Sequence, residues 1–371
     1  MKRKTLVFIL LFCLVILGGC HGRAAIEDLA VVFGFGYDID KIASPQPEYI
    51  SVIEFISIQS EEEPGSDFYV GKGNTLYQSI ENYKVKQGKP FGYGSELIYL
   101  ISEDRAKFGI DDIILDLFRS FNVNIHASVA VVKGSCEEYF NLKSKTESAS
   151  ELLSNLIQYA SDEYFYSSNN TVNDLIFKHF QQGRQICLPY IEIINEIPEL
   201  SGIAVFNEDK MIKKLDIEET KLINILSTTG SKGIVSIESN DAHDYLEIEA
   251  KSKRKVKVTK ADNKLNYDIQ IKVVGTLVMD TLLQEELDKE QVSKIEKILA
   301  ADLQKDLEQE IIKVQKIHKQ DLLDVSKYAI AKYGADSKLD STTNFINSQI
   351  TVDVKVKIES IGRIYGNTKT K

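Results

Sequence analysis

GIVSIES (Gly233–Ser239), DYLEIEAKSKRKVKVTK (Asp244–Lys260) and KLNYDIQIKVVGTLV (Lys264–Val278) follow one another with only short polar breaks. In each, apolar and polar residues alternate, the period-2 signature of a strand with one buried face. Three such segments in succession predict an antiparallel sheet. The charged stretch Lys251–Lys257 alternates with Val256 and Val258, so its basic side chains are assigned to the wet face of that sheet. A helical pattern comes next. Val292, Ile295, Leu299, Leu303, Leu307, Ile311, Val314 and Ile317 recur at three and four from about Glu290 to Lys319, an apolar face laid across the sheet rather than a coiled-coil seam. Helix resumes over Asp321–Tyr333 and stops at Gly334. A last alternating strand, SQITVDVKVKIES (Ser348–Ser360), closes the sheet edge. The fold class is α+β and multi-domain, with mixed or antiparallel sheets, packed helices and one long C-terminal helix against a sheet.

The preceding half reads in the same way. LAVVFGFGYDI (Leu29–Ile39) is a strand whose glycines mark close approach of another backbone, and YISVIEFISIQS (Tyr49–Ser60) is its antiparallel partner. Thr75 is placed to cap a helix over Leu76–Val85. ELIYLIS (Glu96–Ser102) is a buried strand, Ile110–Phe118 an amphipathic helix, and VNIHASVAVVKG (Val123–Gly134) a strand with His126 in its middle. Helical periodicity runs through Ser148–Tyr159 and Val172–Phe180. ICLPYIEIINEIPELSG (Ile186–Gly202) carries Pro189 and Pro198 and no helical stripe, and reads as the crossing into a second region. SGIAVF, the turn Asn207–Lys210 and MIKKLD form a hairpin signal, followed by a helix over Glu218–Leu226. The expected division is 29–195 for an N-terminal α+β region and 196–366 for a C-terminal one, the latter divisible into 196–232 and 233–366.

Upstream of both, Lys2, Arg3 and Lys4 precede an apolar run, Leu6–Leu17, that is too short to cross a bilayer as a helix. Leu17, Gly18, Gly19 and Cys20 then stand in the order of a bacterial lipobox. Residues 1–19 are expected to be a signal peptide, Cys20 the lipidated first residue of the mature chain, and residues 20–28 a polar tether. A diacylglyceryl group would bury two acyl chains at about 0.8 kcal/mol per CH2, far beyond the reversible grip of one myristoyl chain.

Composition excludes several functions. Residues 1–19 hold three basic side chains and no acidic one, so removing them from 45 basic and 55 acidic residues leaves 42 against 55, a formal charge of −13. Such a surface does not suit nucleic acid, whose phosphates call for basic contacts. Cys13 leaves with the signal and Cys20 is acylated, which leaves Cys136 and Cys187. They are able to pair outside the membrane, but a chain this long needs no staple, and that favours two buried free thiols. His21, His126, His179, His243 and His318 are scattered, none at metal-ligand spacing with another His or a Cys, so no metal and no cofactor is expected. Gly34-Phe35-Gly36 lacks the third glycine and the following helix of a dinucleotide site, and Gly71–Thr75 lacks the Walker spacing. No catalytic constellation stands out.

The assembled segments resemble the Ger(x)C family, the lipoprotein C subunits of bacterial spore germinant receptors. The resemblance is carried, in order, by C-HGRAAIEDLAVVFGFGYDID from Cys20, GKGNTLYQSI (Gly71–Ile80), LIYLISEDRAKFGIDDIILDLFRSFNVNIHASVAVVKG (Leu97–Gly134), LPYIEI (Leu188–Ile193), SGIAVFNEDKMIKKLD (Ser201–Asp216) and QKIHKQDLLDVSKYAIAKYG (Gln315–Gly334). Where the family places Trp-Asp after the lipid cysteine, this chain has His21-Gly22, and it has no tryptophan. Arg23 and Asp28 match and are carried over as candidate juxtamembrane contacts. The resemblance implies a mixed α+β ectodomain held by its diacylglyceryl anchor on the outer face of the spore inner membrane. It also implies membrane-embedded A and B subunits as partners and a non-catalytic role in nutrient-triggered germination. A solute-binding lipoprotein of a membrane transporter shares the anchor and is the alternative; it would need two α/β lobes of mostly parallel strands around a cleft.

Overall fold

A computed structural model describes residues 28–41, 46–57, 66–86, 88–142, 148–238, 245–261, 264–280, 288–334 and 342–361. The first part contains β1 (Ala30–Asp40), β2 (Glu48–Ser57), β3 (Ser66–Gly73), α1 (Leu76–Lys84), β4 (Phe91–Gly92), β5 (Ile98–Ser102), α2 (Glu103–Phe108), α3 (Asp111–Arg119), β6 (Ser128–Val132), α4 (Cys136–Phe140), α5 (Ala149–Glu163), α6 (Val172–Phe180), β7 (Cys187–Ile194), β8 (Ile197–Asn207) and β9 (Lys210–Leu215). Its nine strands form one mixed sheet in the order β3-β2-β1-β5-β6-β7-β8-β9, with β4 beside β1. The pairs β1–β5, β5–β6 and β6–β7 are parallel, and antiparallel pairs flank them.

The central strand β5, IYLIS, is buried at every position, as a parallel strand covered on both faces must be. Tyr99 and Ile101 join Phe35, Tyr37 and Tyr83 in a core under α1, α3 and α6. Ile98 and Leu100 join Tyr139, Phe140 and Leu153 in a second core under α4 and α5. The glycines of β1 serve that second layer. A Cβ at Gly34 would collide with Ser150 and Phe140, and one at Gly36 with Cys136, so it is helix side chains rather than a backbone that approach here. Buried carboxylates then cap the two helices. Asp38 accepts from Cys136 N at 3.0 Å, and Glu54 accepts from Ala149 N at 3.0 Å, Ser150 N at 2.8 Å and the Ser150 hydroxyl. Both carboxylates meet the positive ends of helix dipoles.

Hydrogen bonding continues past residue 195, where the sequence places the crossing between regions. The segment is a hairpin of β7 and β8 turned by Asn195 (φ 51°) and Glu196 (φ 68°), the type I′ geometry that matches strand twist. The expected strand Val123–Gly134 is shorter than its pattern: β6 begins at Ser128, and His126 is exposed in a turn, where Asn124 bonds its N–H.

The second part contains α7 (Ile217–Ser227), β10 (Lys232–Glu238), β11 (Tyr245–Ala261), β12 (Lys264–Asp280), α8 (Lys289–Lys313), α9 (Ser326–Tyr333), α10 (Thr342–Ile346) and β13 (Gln349–Ile361). β10, β11 and β12 form an antiparallel meander, and β13 adds parallel to β12. The stripe Ile295, Leu299, Leu303, Leu307, Ile311 and Val314 is buried against this sheet. Ile317 leaves the stripe and is exposed, because Val314–His318 is a π turn whose extra residue rotates the following side chains off the sheet. Lys251, Lys253, Lys255 and Lys257 lie on the wet face as expected. Arg254 does not: it shares the core-facing parity of Ser252 and Val258 and is buried. α9 starts at Ser326 rather than Asp321, whose carboxylate accepts from Val325 N at 3.2 Å and Ser326 N at 2.7 Å.

Replacing Glu54 by Ala leaves the Ala149 and Ser150 N–H groups buried without acceptors. The expected loss is about 2–3 kcal/mol of unfolding free energy, read by urea denaturation; a loss under about 0.5 kcal/mol would mean the cap is not needed.

Candidate functional site

The two sheets meet along a seam, and at that seam lie two polar hollows of about 680 and 260 Å³ that share Lys178, Arg184, Gln185 and Asp321. Lys178 comes from the end of α6. Arg184 follows Gly183, whose φ of 70° and close approach to Lys327 and Ile330 bring this loop onto α9. Asn224 comes from α7, Arg254 from β11, Asp321 and Asp324 from the segment leading into α9, and Tyr328 from α9 itself.

Arg254 donates through its two terminal nitrogens to Ser227 O at 2.9 Å and Leu323 O at 2.7 Å, and its guanidinium carbon lies over the Tyr328 ring, 5.4 Å from the centroid.

 

Arg184 pairs with Asp324 at 3.4 Å, and Lys327 pairs with the same carboxylate. Asp321 is committed to the start of α9, and burial raises its pKa above the ordinary carboxylate range. Lys178 is half-buried and donates to Asn169 O at 3.0 Å; loss of surrounding water holds its ammonium below the usual lysine range. Burial pushes the neighbouring Cys187 thiol up to about 12, so it is not a nucleophile at neutral pH. Cys136 lies in the other core, under the first sheet, and both thiols are free.

A second polar group ties β9, α7 and α8 together. Glu219, Glu310 and His318 bring ligand-type atoms within 4.8 Å of one another. Lys313 pairs with Glu219 and lies 4.0 Å from Glu310, and Lys213 Nζ is 3.0 Å from His318 Nδ1, so two lysines supply the positive charge the carboxylates call for. Burial raises Glu310 to about 7, partly offset by Lys313, and lowers His318. Glu219 and Lys213 are far in sequence from Glu310, Lys313 and His318, and histidine spacing alone did not point to the group.

The residues singled out from the sequence lie elsewhere. Leu17, Gly18, Gly19, Cys20 and Arg23 fall outside the described residues. Asp28 is exposed just before β1 and lines neither hollow. The end of the sheet where β1 begins also carries the turn before β6: Asn124 donates to Glu96 O at 2.8 Å, and Leu97 N donates to Phe33 O at 2.7 Å. Tyr93, Phe121 and Ile125 are exposed on these connections.

Residues 22–193 match the family described as spore germination protein N-terminal domain, and residues 201–362 match spore germination B3/GerAC like, C-terminal. The chain belongs to the Ger(x)C family. Among its relatives, this Ger(x)C protein is similar to Spore germination protein A3 of Bacillus subtilis (strain 168), 23% identical over 75% of this chain and 74% of the relative. It is similar to Spore germination protein GerQC of Bacillus cereus, 23% identical over 82% of this chain and 84% of that one. Its fold is similar to that in the crystal structure of the GerBC protein, with a TM-score of 0.54 at 16% identity, covering 88% of this chain and 98% of the other. The mixed α+β architecture with a long C-terminal helix is thus the fold of a Ger(x)C protein.

The raised value at Glu310 has a direction that can be tested. The fold favours the protonated acid, so its contribution is complete below the usual value of 4.5 and is lost as pH rises through about 7. Glu310→Gln mimics the protonated form. Its stability relative to wild type is expected to rise by about 1–3 kcal/mol between pH 5 and pH 8, measured by urea denaturation across that range; a flat difference curve would exclude a buried, titrating Glu310.

Proposed function

We propose that this chain is the lipid-anchored, non-catalytic C subunit of a nutrient germinant receptor, acting in spore germination by docking with membrane-embedded A and B subunits on the outer face of the spore inner membrane. The observation that carries this reading is the pair of family matches over residues 22–193 and 201–362, directly after the lipobox that ends at Cys20. Among the described residues no helix is long and apolar enough to cross a membrane; in this reading acyl chains on Cys20 hold the chain at the bilayer. Residues 21–27 link Cys20 to Asp28, and eight extended steps reach at most about 28 Å. The β1 end of the first sheet therefore stays near the headgroups, with Asp28 and Arg23 closest to them. Tyr93, Phe121 and Ile125 are exposed at that end, where aromatic side chains favour the interface.

Docking of a tethered domain needs only modest contacts, because the anchor raises its effective concentration at membrane partners. The transporter alternative has no observation in its favour: the meander β10–β12 is antiparallel, not the second parallel lobe that it needs.

Membranes from spores carrying a tagged wild-type chain or its Cys20→Ala variant provide the test. The wild type is expected in the membrane fraction together with two multi-spanning proteins, and the variant in the soluble fraction with germination slowed at least tenfold. Normal germination with soluble variant protein would remove the anchor from the reading. Wild-type protein recovered from membranes without those partners would remove the docking.

A further inference from the structure

We infer that the smaller hollow at the seam is a binding site for a small molecule that carries a carboxylate or phosphate at one end and a hydrogen-bond donor at the other. The inference goes beyond the receptor role and does not depend on the anchor.

Charge is the first argument. Arg254 is 7% exposed, yet it contacts two backbone carbonyls and the Tyr328 ring. Lys178 has the Asn169 carbonyl. Among the described residues neither cation is in a direct ion pair, and the hollow is lined by four cations, Lys178, Arg184, Arg254 and Lys327, against two acids, Asp321 and Asp324; an excess of positive charge around a buried guanidinium is costly. Asp321 and Asp324 line the same hollow but are engaged, the first by the backbone N–H groups that begin α9 and the second by Arg184 and Lys327.

Unpaired atoms are the second. Arg254 Nε, Arg184 Nε and Asn224 Nδ2 are buried donors without an acceptor, and Asp324 Oδ1 is a buried acceptor without a donor. All four belong to residues that line the one hollow. Buried polar groups are nearly always satisfied, so a concentration of exceptions calls for an occupant. Water would satisfy the N–H groups but would not neutralise Arg254 and Lys178; an oxyanion does both. The lone acceptor at Asp324 adds the requirement for a hydroxyl or ammonium on the same ligand. A volume of about 260 Å³ has room for a small metabolite.

The full lipoprotein in detergent, wild type and Lys178→Met, is titrated with lactate and with glycerol 3-phosphate at constant ionic strength, with glycerol as the neutral control. Thermal unfolding and calorimetry provide the readouts. At least one of the two anions is expected to bind the wild type saturably and raise its unfolding temperature, and glycerol is expected to do neither. Lys178→Met should unfold at or above the wild-type temperature without ligand, since a poorly solvated ammonium is removed, and should bind the anion at least tenfold more weakly. The difference between the two anions separates a carboxylate site from a phosphate site. Absence of saturable binding by both, or equal binding by folded Lys178→Met, would overturn the proposal.

Discussion

Two carboxylates buried beneath helix starts hold the first sheet to its second helical layer. Glu54 lies on β2 and Asp38 on β1, and each gives its oxygens to the first N–H groups of a helix whose N-cap serine, Ser148 or Ser135, serves only a later one. The arrangement works because Gly34 and Gly36 leave β1 bare on that face, so α4 and α5 can settle within reach of the acids. With side chains in place of the hydrogens, the helices would stand off and the carboxylates would be stranded in an apolar core. The same constraint explains how β5 is covered on both sides: the layer that buries Ile98 and Leu100 depends on those two caps.

The second sheet is held by area rather than by specific polar contacts. β11 and β12 pair over most of their length, and the apolar stripe of α8 crosses the face they present. At the far end the π turn and Lys319, at φ 55°, take the chain off that face and turn it back toward the seam. That turn is what delivers Asp321, Asp324 and Tyr328 opposite Arg254.

Much of this was legible in the sequence wherever the pattern is local. Thr75 caps α1 as its position suggests, accepting from Gln78 N, and Thr171 and Asp174 form a capping box that starts α6 where the periodicity begins. The strands β10–β13 follow their alternation. What escaped depends on pairing across distance. His126 sits in an apolar-looking stretch, but strand structure requires a neighbour, and β6 finds one only from Ser128. The hairpin of β7 and β8 was hidden because Asn195 and Glu196 are not the usual Asn-Gly pair for a turn with two positive φ values. Arg254 could have been found: counting by two from Leu246 through Ile248, Ala250 and Ser252 puts it on the core face, while the four lysines fall on the other. Glu310 and His318 follow each other on one continuous helical stretch, but Glu219 gave no such signal, since α7 meets that stretch only through the tertiary fold.

The seam itself argues that the two sheets act as one body. Phe165, Tyr166, Ile203, Val205 and Leu215 from the first part share a single apolar core with Val235, Ile248, Ile269 and Leu299 from the second. Gly233 has no room for a side chain because Phe165 fills that place, and Phe165 adopts φ 51° to do so, while Tyr166 donates to Gly202 O at 2.7 Å. A bulky residue in that conformation persists only when its surroundings over-determine it. Against such a tightly fitted boundary, a polar hollow lined by four cations and two acids is a local exception whose cost the surrounding packing offsets. An occupant there would contact both sheets at once, so its binding energy would act on how closely they are held together.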